Sequence, residues 1–372
     1  MTQSTSIATQ VTSAGRYPPF YYSLVGWPTL VFAGPPAFYI QREITVLVSA
    51  LLLGLAAWSA STTLRSGRVL LALGIAVTPM AIYFMGGVHP HAPEIAAAAG
   101  VWISGWALLQ SRSKLNSGVM ARLTISACAL ALSRPLSVLW LALIVASLLI
   151  GFSHASHWVV FRRSLSAKLC AGVVISTCLV QSIWVGSTGA LTQSTLGVKI
   201  STMEAITTSM YRQVSGVAQM IGLFGSFETK APSFVYLVWL VAGTCFVVTA
   251  LLLGSRRERL ALVLVIASSV VIPSAAEVAT REQTGFPWQG RYTLPLAIGI
   301  LLLSGMIASR RFRSTADGLS WDRIARIVVP LVGVAHFFAW ASALKRYSLG
   351  ESSSFPFGYY IIHWSPPGVS VT

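Results

Sequence analysis

The chain has 372 residues, 55% of them hydrophobic and only 10% charged. A water-soluble protein of this length carries far more charge, about a quarter of its residues, so an ordinary soluble enzyme is excluded. The net charge of +16 does not indicate nucleic acid, because the basic residues sit in short connections between apolar runs and form no continuous basic face.

Residues 1–43 form an N-terminal segment with no apolar run long enough to span a bilayer before residue 44. It holds Tyr17, Phe20, Tyr21, Tyr22 and Trp27, rings that favour the headgroup level. No positively charged start followed by an apolar core marks a signal peptide there. A translocated N-terminus of this kind is unusual, and an upstream span lost from the sequence would account for it. Spans of about 20 residues are expected at 44–62, 69–86, 93–110, 168–186, 234–254, 260–280, 295–309 and 327–344. Residues 123–152 are apolar but interrupted by Ser133-Arg134-Pro135. Proline removes a helix donor and clashes with the preceding turn, so this stretch reads as a hairpin of two shorter helices. The connection 187–233 contains Met203 to Met220 in a pattern that suits an amphipathic helix lying along the membrane surface. The expectation is one membrane-embedded domain over 1–372: an all-α, polytopic transmembrane helical bundle of about eight full spans plus the Pro-broken hairpin, about ten hydrophobic segments in all.

Arginine and lysine clusters set the expected orientation. Arg65 and Arg68; Arg112, Lys114 and Arg122; Arg162, Arg163 and Lys168; Arg256, Arg257 and Arg259; and Arg310, Arg311, Arg313, Arg323 and Arg326 hold 16 of the 26 basic residues. All fall on one side of the span map, which is the cytoplasmic side by the positive-inside rule. Residues 1–43, 187–233 and 345–372 then lie outside, with both termini. The four cysteines, Cys128, Cys170, Cys178 and Cys245, lie in apolar runs without metal or redox spacing.

Ionisable groups in or beside spans are the candidates for chemistry, since burying them in lipid costs about 2.5–3.5 kcal/mol on insertion scales. Arg134, at the helix break, offers a planar fork suited to phosphate. Glu94 follows Gly86-Gly87-Val88-His89-Pro90-His91-Ala92-Pro93; it is either a cap on the helix macrodipole or an acid/base at the rim of an outward cavity. His89 and His91 supply too few ligands for a metal, and none is expected. In Pro287-Trp288-Gln289-Gly290-Arg291-Tyr292, an arginine between rings suits a phosphate or a sugar, or else an interfacial anchor. Glu277 is expected to neutralise Arg291 or Arg281. Arg42-Glu43 reads as an interfacial anchor pair.

Several stretches together resemble one family. Tyr17-Pro18-Pro19-Phe20-Tyr21-Tyr22, Thr78-Pro79-Met80 with Gly87-Val88-His89-Pro90 and Glu94-Ile95, Arg134-Pro135-Leu136, Ile221-Gly222-Leu223-Phe224-Gly225 and Trp288-Gln289-Gly290-Arg291-Tyr292-Thr293-Leu294-Pro295 match its motifs in order over nearly the whole chain. This is the predicted bacterial membrane family known as domain of unknown function 2142, in an actinobacterial version. That family is distantly similar to the multispan C-type glycosyltransferases, which use polyprenyl-phosphate sugars on the outer face. The similarity implies a catalytic acid in the first outer loop after a first span. This sequence departs there: residues 1–42 contain no Asp or Glu, and no span is seen ahead of them. His89-Pro90-His91 also stands where the family pattern has asparagine.

The leading expectation is a glycosyltransferase-like protein of cell-envelope glycan assembly in the bacterial plasma membrane. Its partners would be membrane lipids and a polyprenyl-phosphate sugar, with no cofactor, no metal and no nucleic acid. Glu94 would be the catalytic acid/base, with Arg134, Arg291, Gln289, Trp288 and Tyr292 binding substrate. A transporter or flippase of envelope precursors and a non-catalytic membrane subunit are the alternatives.

Overall fold

The computed structural model describes residues 14–64, 66–111, 115–191, 197–311 and 321–349. Of the expected outer tail 345–372, residues 350–372 lie outside them. In chain order the elements are α1 (Pro19–Gly26), α2 (Pro35–Trp58, extended by a π turn over Ser59–Thr63), α3 (Gly67–Ala76), α4 (Pro79–Met85), α5 (His91–Leu108), α6 (Ser117–Ser133), α7 (Ser137–Phe152), α8 (Ala155–Arg163), α9 (Leu165–Thr188) and α10 (Thr202–Gly222). A two-residue antiparallel hairpin, β1 (Leu223–Phe224) and β2 (Thr229–Lys230), leads to α11 (Ser233–Leu253), α12 (Arg256–Thr284), α13 (Gly290–Arg311) and α14 (Trp321–Leu349). The fold is all-α and polytopic.

Six described helices, α2, α9, α11, α12, α13 and most of α14, are long and apolar enough to cross a membrane. Leu51, Leu169, Ile183 and Leu252 point outward from them, which is the arrangement of a protein solvated by lipid. Two of the eight expected spans take another form. The stretch 69–86 is the pair α3–α4, bent by 74°. The bend follows from Thr78-Pro79, because the residue before proline is pushed out of the helical region. Thr78 is extended there; its side chain caps α4 by accepting from Ala81 N and donates to Met220 O at 2.6 Å. The stretch 93–110 is α5, an 18-residue helix buried on every side from His91 to Ala107.

Helix α5 is the axis of the bundle and packs against α2, α6, α7 and α13. Its run Ala96–Ala99 is fully buried, since small side chains let neighbouring backbones come close where there is no hydrophobic drive between helices. Gly299 of α13 meets the Trp102 indole, and a Cβ at that glycine would fall inside the ring. The Pro-broken stretch forms the two helices α6 and α7, as its sequence implies, with Arg134 extended between them. Gln181 of α9 holds the break by donating to Arg134 O at 3.1 Å.

The two ends of the bundle differ. At one end, Glu258 closes a capping box with Ser255 and pairs with Arg310 at 2.7 Å and Arg311 at 3.3 Å. Arg257 there donates to Ile150 O and Ser153 O, and Arg68 to Ser309 O. Four of the expected basic positions thus meet in one layer. At the other end stand Tyr17, His91, Arg134, Trp288 and Tyr292. The expected amphipathic helix is α10. Met203, Ile206, Met210, Val214 and Val217, at helical spacing, are exposed, while Ala205, Ser209 and Gly216 are buried; the helix packs on α12 and α13.

Candidate functional site

At the ring-rich end, a cavity of about 320 Å³ opens between α5, the α6–α7 break, α12 and the start of α13. Its polar lining includes His91, Glu94, Arg134, Glu277, Trp288 and Tyr292. Helix α5 begins after Pro90 and has Glu94 in its first turn, a position that the helix macrodipole favours for an acid. The spacing of three residues brings Glu94 back over His91. His91 Nδ1 lies 2.8 Å from one Glu94 oxygen, and Ser137 Oγ donates to the other at 2.7 Å. One guanidinium nitrogen of Arg134 contacts both ring nitrogens of His91, Nε2 more closely than Nδ1. A carboxylate only accepts, so Nδ1 carries the proton that it gives to Glu94, and Nε2 is the nitrogen left to accept from Arg134. The result is a chain of carboxylate, imidazole and guanidinium.

Arg134 also lies over the rings of Tyr292 (4.9 Å) and Tyr17 (5.7 Å), a favourable placement for a delocalised cation. Among the described residues no carboxylate forms an ion pair with it. Tyr17 reaches the site because α9 holds its backbone, through Trp184 Nε1 to Tyr17 O at 3.1 Å.

The structure thus brings Glu94, Arg134, Trp288 and Tyr292 into one cavity, while both Glu94 oxygens are already engaged. Arg291 turns away and lines a second chamber. Gln289 lines neither, and its buried Oε1 has no hydrogen-bond partner. Glu277 does not neutralise Arg291 or Arg281. It pairs with Arg212 of α10 at 3.5 Å and accepts from Ser209 Oγ (2.6 Å) and the Trp288 backbone N–H (3.1 Å), while Arg281 pairs with Glu282. Arg42 is no surface anchor: its Nε donates to Gly86 O at 2.9 Å and it lines the second chamber. The sequence offers His91 only as one of too few ligands for a metal. The i, i+3 spacing of His91 and Glu94 at a helix start was the signal for its true partner.

His89 stacks on His91, with ring centroids 4.8 Å apart and planes within 6°. Its Nδ1 accepts from the His91 backbone N–H. Burial, followed by the guanidiniums of Arg134 and Arg291, pushes its pKa down to about 3, so this imidazole stays neutral.

A lipid-facing helical bundle with a polar cavity built at broken helices defines a multi-pass integral membrane protein. The chain belongs to the family described as predicted membrane protein (DUF2142), which matches residues 1–300. The searches of curated proteins and of solved structures found no match to this chain.

Proposed function

We propose that this protein binds the phosphate of a polyprenyl-linked sugar in the Arg134 cavity and transfers the sugar, as a glycosyltransferase-like enzyme of envelope glycan assembly. In this reading the arginine-rich end faces the cytoplasm and both cavities and termini face outward, in the bacterial plasma membrane. The bent pair α3–α4 and the buried α5 then complete the eight expected passes. The observation that carries the proposal is Arg134. It stands at a helix break, faces a cavity, lies over two rings and lacks a carboxylate partner among the described residues.

The chemistry follows from the chain of contacts. A phosphate competes for the Arg134 fork and draws it off His91 Nε2. The freed nitrogen then accepts the proton of an acceptor hydroxyl, while Glu94 orients the ring and stabilises the imidazolium. The acceptor oxygen bonds to the anomeric carbon, the carbon–oxygen bond to phosphate breaks, and the leaving lipid phosphate keeps its charge against Arg134. Glu94 acts through His91 in this scheme and is a positioning residue.

The test is incorporation of labelled sugar from polyprenyl-phosphate donors into membranes carrying wild type, Arg134→Ala, His91→Ala or Glu94→Gln. Losses of about a hundredfold are expected for the first two variants, with a smaller loss for Glu94→Gln. Equal incorporation in all four would refute the enzyme. One observation favours a second reading: the 74° bend of α3–α4 joins the α6–α7 break as a second interrupted segment, and such pairs are common in transporters. Movement of a lipid phosphate across vesicles without sugar transfer would select that reading.

A further inference from the structure

A larger chamber, of about 1120 Å³, lies beside the Arg134 cavity and is walled by α2, α4, the β1–β2 hairpin and α14. Three stretches that the Arg134 cavity does not use line it: Pro79, Gly87-Val88-His89 and Phe224-Gly225. The partition between the two spaces is a stack of rings. Phe84 and His89 face the chamber, and His91 and Tyr292 face the cavity. Successive centroids along this stack are 4.8, 4.8 and 5.5 Å apart.

Arg291 is the prominent cation of the chamber. Its guanidinium carbon is within 6.0 Å of the centroids of Phe84, Phe227 and Tyr292. It has no carboxylate partner among the described residues, and its Nε is buried without a hydrogen-bond partner. Phe227 reaches it from the hairpin tip in the left-handed region at φ 75°, a costly conformation for a bulky residue, of a kind that clusters at functional sites. Arg42 adds a second guanidinium, and Glu228 is the one acid among the lining residues. Tyr83 of α4 and Tyr347 of α14 share a hydrogen bond at 2.8 Å and stack, and Trp340 of α14 also lines the chamber. Sugar rings pack their apolar faces on such rings, while an arginine fork takes an anionic oxygen pair.

We infer that this chamber binds a second ligand, a phosphorylated sugar, with its phosphate on Arg291 and its ring against Trp340 and the tyrosine pair. The inference does not rest on the role given to Arg134. The experiment uses the full chain in detergent micelles and titrates glucose 1-phosphate calorimetrically, with glucose and inorganic phosphate as separate arms. Saturable binding is expected, weakened about tenfold or more in Arg291→Gln and weakened severalfold in Trp340→Ala. Arg291→Lys keeps the charge and is expected to bind more tightly than Arg291→Gln, which separates loss of the contact from loss of the fold. Wild-type affinity in both Arg291→Gln and Trp340→Ala, or no binding to wild type, would overturn the site. Phosphate binding as tightly as glucose 1-phosphate would overturn its assignment to a sugar. Farnesyl phosphate binding sensitive to Arg134 alone, together with sugar-phosphate binding indifferent to Arg291, would sink this inference and leave the Arg134 reading standing.

Discussion

Replacing Arg134 by alanine tests the central cavity directly. In the unliganded fold one nitrogen of this side chain hydrogen-bonds the His91 ring, within reach of both its nitrogens, and the guanidinium lies over two rings. The bond contributes about 1.5–3 kcal/mol and each ring contact about 0.5–1 kcal/mol. The substitution therefore costs about 2.5–5 kcal/mol of stability. For a lipid phosphate, losing the fork costs about 3 kcal/mol, roughly a hundredfold in Kd. The assay is thermal unfolding in micelles, with and without farnesyl phosphate at about a hundred times the wild-type Kd. Wild type then gains about 2.7 kcal/mol from the ligand, and Arg134→Ala only about 0.4 kcal/mol. Arg134→Lys, a charge without the fork, falls between them. An equal ligand-induced gain in wild type and alanine variant would refute the placement of phosphate at Arg134.

Other positions make separate predictions. Glu258→Ala removes the shared acceptor of the Ser255 N–H and of the solvent-exposed Arg310 and Arg311, and should lower stability by about 1–3 kcal/mol in a denaturation series. Gly299→Ala forces a methyl into the Trp102 indole and should cost about 1–3 kcal/mol, with Trp102→Leu in the same chain recovering part of it; no change in melting temperature would contradict the packing. His89 has a pKa near 6.5 when unfolded and about 3 in the fold, so the unfolded chain binds the extra proton. Its contribution therefore weakens stability as pH falls from about 6.5 toward 3, by up to about 1.4 kcal/mol per pH unit. The stability difference between wild type and His89→Gln should shift with pH below about 6.5 and stay constant above it; a pH-independent difference would contradict that burial.

Apolar runs of spanning length, the proline after Arg134 and the alternation of basic clusters were enough to read an all-α membrane bundle with an interrupted hairpin. Those features act locally: a 20-residue apolar run enters lipid whatever its neighbours are, and proline ends a helix through its own ring. Thr78-Pro79 acts as locally, and the bend it causes was also there to be read. The site was legible only as a set of residue types. The pair His91–Glu94 is local, three residues apart at the start of α5, but that Arg134 meets His91, that Ser137 takes the other Glu94 oxygen, that Glu277 turns to Arg212, and which cavity Tyr292 and Arg291 each face depend on helices far apart in the chain. No periodicity encodes them, because the rotation and depth of each helix are set by packing against its neighbours. The sequence by itself therefore determined a multi-pass helical protein with a basic end and a ring-rich end; only the tertiary structure decided which charges share a cavity, because each charge's partner is chosen by the close fit of small residues such as Ala96–Ala99 and Gly299 along α5 and α13.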